Sequence, residues 1–256
     1  MHYLPAFLSC AFIVFGLACQ PKSDPKKIIA NAIEAHGGQD YDGKHISFSF
    51  RDRDYDVYLN SGQFTYERMW EDSIGNVHDV LTNEGFTRKV NGKEMVLSAE
   101  DETIYTNSLN SVVYFALLPQ PLTDPAVNAT YLGADTINSE QYYKVRVTFD
   151  QAGGGTDFDD VFVYWFHQDK HTMDYLAYEF HVNGGGTRFR EAYNVREVNG
   201  LRFADFINYT DTLHQFPLEE YNIQFTSQQV QELSRIDLEN VQVEVIEQSA
   251  IATGQN

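Results

Sequence analysis

The stretch Val161-Phe162-Val163-Tyr164-Trp165-Phe166 decides how this chain folds. Every residue in it is β-branched or aromatic, the composition of a strand. Side chains alternate along a strand, so Phe162, Tyr164 and Phe166 share one face, and Val161, Val163 and Trp165 share the other. An antiparallel sheet over a single core needs only one apolar face. Here both faces require cover. Helices packed on the sheet would supply it, and so would an apolar ligand enclosed in a cavity.

Outward from that stretch, residues 173–182 read as the next strand, joined to the first through Gln168-Asp169-Lys170-His171. Gly153-Gly154-Gly155-Thr156 before the pair recurs after it as Gly184-Gly185-Gly186-Thr187. An up-and-down hairpin returns the chain to its starting edge. Both triple-glycine loops are therefore expected at one rim of the sheet, with residues 167–171 at the other. Apolar alternation marks further strands at 45–50, 55–59, 63–70, 86–90, 94–97, 130–137, 142–149, 188–198, 201–209 and 241–246. Asn91-Gly92 and Asn199-Gly200 are type I′ hairpin signals.

Two segments have helical spacing instead. Asp24 suits an N-cap and Pro25 the first helical position, and Ile28, Ile29, Ala32 and Ile33 form an apolar stripe that ends at His36-Gly37-Gly38. Residues 98–118 form the second, opened by a Ser98/Asp101 capping box and stopped by Pro119, Pro121 and Pro125. The pattern predicts a mainly β (α+β) fold: a large antiparallel sheet with an N-terminal and a mid-chain helix covering one face. Strands and helices rarely alternate, which disfavours a TIM barrel.

Length and charge narrow the function classes. The chain has 256 residues, 43% of them hydrophobic, enough for one large core without a disulfide or metal staple. Its formal net charge of -19 repels phosphate backbones, so nucleic acid is not expected as a partner. Residues 6–17 are an apolar run broken only by Ser9, Cys10 and Gly16. That is short of the roughly 20 residues a spanning helix needs, but right for a signal-peptide core. Gly16-Leu17-Ala18-Cys19 resembles a bacterial lipobox, with Gly16 where Leu is usual, so Cys19 is the expected lipidation site. The expected layout is a leader at 1–18, a tether at 19–24, one domain at 25–250 and a polar tail at 251–256. Cleavage before Cys19 leaves one cysteine and no internal disulfide. The alternative is an ordinary secretory leader.

Candidates for chemistry are sparse. The triple-glycine loops could cradle an anion, or simply supply positive φ in wide turns. His167, Asp169 and His171 have ligand-like chemistry but sit at a hairpin tip without a third partner, so no metal is expected. His36 could act as a base, or be a helix-terminal histidine. Arg188 and Arg190 share a strand face beside Glu179, as a clamp for carboxylate or phosphate or as cross-strand ion pairs. Lys144 alone is thin ground for a Schiff base. No cofactor motif is present.

The order of features resembles an uncharacterised family of Bacteroidota envelope lipoproteins. The resemblance rests on the lipobox, Ala35-His36-Gly37-Gly38, Phe48-Ser49-Phe50-Arg51, Tyr114-Phe115-Ala116-Leu117-Leu118-Pro119 and Asp124-Pro125-Ala126-Val127-Asn128, and on residues 153–165 and 173–193. More distantly, helix-then-sheet organisation is similar to the lipoprotein-carrier superfamily of LolA and LolB. That likeness implies a curved half-barrel whose helices close a hydrophobic cavity. The cavity would draw on Phe48, Phe50, Phe162, Tyr164, Leu176, Tyr178 and Phe180, with Leu117 and Leu118 on the lid. It implies a cell-envelope protein, anchored by lipid at the outer membrane, that binds a hydrophobic or lipid-like molecule. Two other readings stay open. One is an enzyme working at the glycine rim with Glu179, Arg188 and Arg190. The other is a structural or protein-binding surface lipoprotein.

Overall fold

A computed structural model describes residues 23–150, 160–181, 185–211 and 216–246. The first helix, α1 (Pro25–Ala35), begins as its sequence requires: Lys26 N–H donates to Asp24 Oδ1 at 3.0 Å. Six strands follow: β1 (Lys44–Ser49), β2 (Asp54–Asn60), β3 (Gln63–Asp72), β4 (Gly75–Thr82), β5 (Gly85–Val90) and the two-residue β6 (Lys93–Glu94). The long helix α2 (Ala99–Ala116) is capped by Ser98, whose hydroxyl accepts from Asp101 N–H at 3.1 Å. Beyond it run β7 (Val127–Ile137), β8 (Glu140–Phe149), β9 (Val161–His167), β10 (Met173–Phe180), β11 (Gly186–Val198) and β12 (Leu201–Thr210). A short helix, α3 (Tyr221–Thr226), precedes β13 (Gln231–Ile236) and β14 (Glu239–Val245).

The fold is mainly antiparallel β, and its strands divide into two seven-stranded ladders, β14-β1-β2-β3-β4-β5-β6 and β13-β12-β11-β10-β9-β8-β7. The ends β6 and β7 are not paired with each other, so the half-barrel stays open. Neighbours are joined by tight turns. Asn91-Gly92 and Asn199-Gly200 have positive φ at both residues, as a type I′ turn demands. The chain crosses between ladders at Leu238, which is held by Asp205: Leu238 N–H donates to its Oδ1 at 2.9 Å. Arg196 pairs with the same carboxylate at 3.0 Å and donates to Leu238 C=O at 2.5 Å.

Both faces of β9 are covered by protein. Phe162, Tyr164 and Phe166 pack with Leu176 and Met173 beneath Ile28, Ile29, Ala32 and Ile33 of α1, together with Leu118 and Leu122. On the other face Val163 and Trp165 pack with Phe189, Leu218 and Tyr221. The segment carrying Leu218 and α3 is the cover that helical spacing did not reveal, because α3 has only six residues. A third core lies under α2: Leu109, Val113 and Leu117 meet Ile46, Phe48, Tyr55, Val57 and Leu81 of the first ladder. Two strands, β4 and β13, were not expected because their sequences lack apolar alternation. β4 carries charged Asp79 at a buried position, and β13 is a largely exposed edge strand of polar residues.

The end of α1 is fastened to the second ladder through His36, which is buried. Its Nε2 accepts from Met173 N–H at 3.1 Å, and its carbonyl accepts from Arg202 N–H at 3.1 Å. Burial, reinforced by the neighbouring Arg202 guanidinium, pulls the imidazole pKa down from 6.5 to about 3.

Candidate functional site

Helix α2 lies across the seam between the ladders. Leu109, Val113 and Leu117 turn toward the first ladder, while Tyr114 and Phe115 pack against the core of the second. Between these flanks, Ser111, Val112, Phe115 and Ala116 form a strip at helical spacing. That strip roofs a cavity of about 210 Å³. The other walls are Phe50 and Arg51 after β1, Arg190 of β11, Ala204 and Phe206 of β12, and Ile236 and Leu238 at the crossing. The roof is clamped at its other end. Arg68, Asp79 and Arg88 stand side by side on β3, β4 and β5. Asp79, wholly buried, accepts from Arg68 Nη2 at 2.6 Å and Arg88 Nε at 2.6 Å. Arg68 Nη1 then reaches Ser108 Oγ of α2 at 2.8 Å, and the Arg88 guanidinium lies 3.4 Å from the centre of the Tyr105 ring.

The lining is mostly apolar, but not entirely. Arg51 is exposed, whereas Arg190 is only 7% accessible. Arg190 Nη2 donates to Tyr178 Oη at 2.8 Å, and the guanidinium lies 4.2 Å from the Phe115 ring centre and 4.9 Å from that of Tyr178. Its Nε is buried without a hydrogen-bond partner. Among the described residues no carboxylate pairs with Arg190. Burial lowers its pKa, yet a guanidinium remains charged at neutral pH.

The residues expected from sequence are distributed as follows. Phe50 lines the cavity, and Tyr178 contacts Arg190 from the side. Phe162, Tyr164 and Leu176 are closed within the core beneath α1, and Phe48 stacks on Tyr55 under α2 with ring centres 5.0 Å apart. Leu117 and Leu118 bracket the seam, one in each core. Phe180 packs at a tilt against Tyr178, with the Arg188 guanidinium 5.0 Å from its ring centre. Arg188 donates to Thr187 C=O at 2.8 Å. Glu179 pairs in register with Thr187, while Arg188 and Arg190 oppose Tyr178 and Leu176. Glu179 is therefore on the opposite face of the sheet from the two arginines. Gly153, Gly154, Gly155, Gly184 and Cys19 lie outside the described residues.

Residues outside the clamp and cavity candidates have structural partners. His167 Nε2 pairs with Glu140 at 3.1 Å, and its Nδ1 accepts from Asp169 N–H at 3.1 Å, closing its own turn. Lys144 pairs with Asp135 at 2.9 Å. Among the described residues no three His, Cys, Asp or Glu side chains gather as a metal site, and no helix is long and apolar enough to cross a membrane.

Sequence reading missed Arg51, Ser111, Val112, Phe115, Ala116, Ala204, Phe206, Ile236 and Leu238. The roof strip lies a half-turn before Leu117-Leu118, and the crossing residues come from far along the chain. Phe115 was the available signal: a large aromatic on the flank of a helix whose other flank already has a core.

No curated protein is detectably similar to the chain in sequence. Among solved structures, a DUF1329 family protein from Desulfovibrio piger is similar over 89% of this chain and 99% of its own, at 12% identity and a TM-score of 0.53. At that identity the likeness is one of fold. A LolA superfamily protein from Nitrosomonas europaea is 13% identical over 90% of this chain and 97% of its own, with a TM-score of 0.49. The match that places the sequence is to a family model covering residues 4–238: the chain belongs to the family of unknown function DUF6503.

Proposed function

We propose that this is a cell-envelope lipoprotein that holds a hydrophobic or lipid-like ligand in the cavity beneath α2. The observation that carries the reading is the cavity itself: about 210 Å³ of space at the seam, walled by Phe50, Val112, Phe115, Phe206, Ile236 and Leu238. Space of this size, with an apolar lining, favours an apolar occupant, whose binding would draw on roughly 25 cal/mol per Å² of buried apolar surface. Sequence organisation resembling the lipoprotein carriers is a second support. In this reading residues 1–18 are removed, Cys19 carries the lipid anchor at the outer membrane, residues 19–24 tether one domain at 25–250, and 251–256 form a polar tail.

The test uses the full chain purified natively. Solvent extraction and mass spectrometry should recover a co-purified amphiphile, and the delipidated protein should bind the neutral fluorophore N-phenyl-1-naphthylamine. Ala204→Leu adds bulk to the cavity wall and should weaken that uptake about tenfold, equivalent to 1.4 kcal/mol, while leaving unfolding nearly unchanged. No co-purified molecule together with no uptake would refute the reading, as would uptake indifferent to Ala204→Leu. The intact mass of the mature protein tests the anchor separately: it should correspond to a chain beginning at Cys19 with acyl groups attached, and an unmodified cysteine would rule the anchor out.

A further inference from the structure

The cavity wall contains a charge that the fold leaves unanswered. Across a chain with 37 Asp and Glu against 18 Lys and Arg, the cavity lining includes two arginines and no acid. Arg51 is exposed and solvated, so water screens it. Arg190 is different. It is 7% accessible, and among the described residues its Nε has no partner and its one hydrogen bond is to a neutral phenol, Tyr178 Oη at 2.8 Å. Another cation, Arg188, acts on it and opposes its charge. Among the described residues the other two buried arginines are matched, Arg68 and Arg88 sharing Asp79, and the half-buried Arg196 and Arg202 each have a carboxylate, Asp205 and Asp174.

Burying a cation without a counter-ion is costly, and the attraction of the Phe115 and Tyr178 rings offsets only part of that cost. A residue kept in this state, facing open space, is complementary to an anion that enters that space. One guanidinium balances one charge. A head group with a single negative charge leaves the site neutral, whereas a doubly charged one would leave an uncompensated anion against Phe115 and Phe206.

Resting on the ligand-binding reading above, we propose that the occupant is a monoanionic amphiphile, of fatty-acid type, whose carboxylate pairs with Arg190 while its hydrocarbon part lies along Phe115, Phe206 and Ile236. Planar guanidinium and carboxylate groups match through parallel N–H···O bonds. The buried, unpartnered Nε is a donor of that guanidinium still unused.

The experiment measures displacement of N-phenyl-1-naphthylamine from delipidated protein by decanoate, decanol and decylamine, which share a chain and differ in head charge. Wild-type protein should bind decanoate about tenfold or more tightly than decanol, the span of one charge-assisted hydrogen bond. Decylamine should be the weakest. In Arg190→Met the ratio of decanoate to decanol affinity should fall to about one, whatever the absolute affinities; Arg190→Lys should retain part of the preference. Equal affinity for decanoate and decanol in wild-type protein overturns this proposal while leaving the apolar-ligand reading intact. So does a decanoate preference that survives Arg190→Met. Failure of all three ligands and of the fluorophore defeats the ligand-binding reading itself. The wild-type comparison stands alone if the Arg190 variants do not fold.

Discussion

Acid should destabilise this protein through one buried histidine. His36 ends α1 inside the fold, accepts a backbone hydrogen bond from Met173 on Nε2, leaves Nδ1 unpartnered, and sits near Arg202. Protonation would remove the acceptor and set one cation against another. Its pKa is accordingly lowered from 6.5 to about 3 in the folded protein. Above pH 6.5 the imidazole is neutral in both folded and unfolded chains and makes no pH-dependent difference. As pH falls below 6.5 the unfolded chain takes up a proton that the folded chain refuses, so stability is lost until the folded pKa is reached. The slope is about 1.4 kcal/mol per pH unit, so moving from pH 7 to pH 5 costs roughly 2 kcal/mol. Urea unfolding followed by tryptophan fluorescence at both pH values would measure it, with His36→Gln as the comparison. Glutamine retains an acceptor but cannot titrate. Every carboxylate contributes equally to both proteins and cancels in the difference. Wild type should lose roughly 2 kcal/mol more than His36→Gln between pH 7 and 5. Identical losses, or an imidazole resonance that titrates near pH 6.5 in the folded protein, would refute the reasoning.

The remaining predictions concern the roof and the wall of the cavity. Asp79→Ala leaves Arg68 and Arg88 buried and unpaired and should cost about 3–5 kcal/mol in urea unfolding; a loss below 1 kcal/mol would show that these charges are reached by water. Ala204→Leu should impair uptake of a neutral fluorophore without loss of stability, and Arg190→Met should abolish discrimination between decanoate and decanol. Lipidation at Cys19 should be visible in the intact mass.

Local chemistry made much of the fold legible. The capped starts at Asp24 and Ser98, the I′ turns at Asn91-Gly92 and Asn199-Gly200, and the alternation in β1 and β8 are each decided by neighbours within a few residues. The two-sided apolar pattern of Val161 to Phe166 correctly demanded two covers, and the stripe of α1 supplied one of them. The other was hidden because α3 is too short to show a helical period and Leu218 precedes it. Division into two ladders was equally hidden, since it turns on the Leu238 crossing and on Asp205, whose partners Asn194, Arg196 and Leu238 come from two separate segments.

The candidate site shows the same boundary. Sequence by itself determined most of the strands, both long helices, the acidic balance and the presence of an arginine pair on one strand face. Only the tertiary structure decided that Arg190 borders an open cavity while Arg188 does not, that Glu179 belongs to the other face, and that Phe162 and Tyr164 are sealed under α1. The physical reason is that alternation and helical period specify which side chains share a face. Which face meets which, and whether a buried charge finds a partner, depends on contacts between residues brought together from distant parts of the chain.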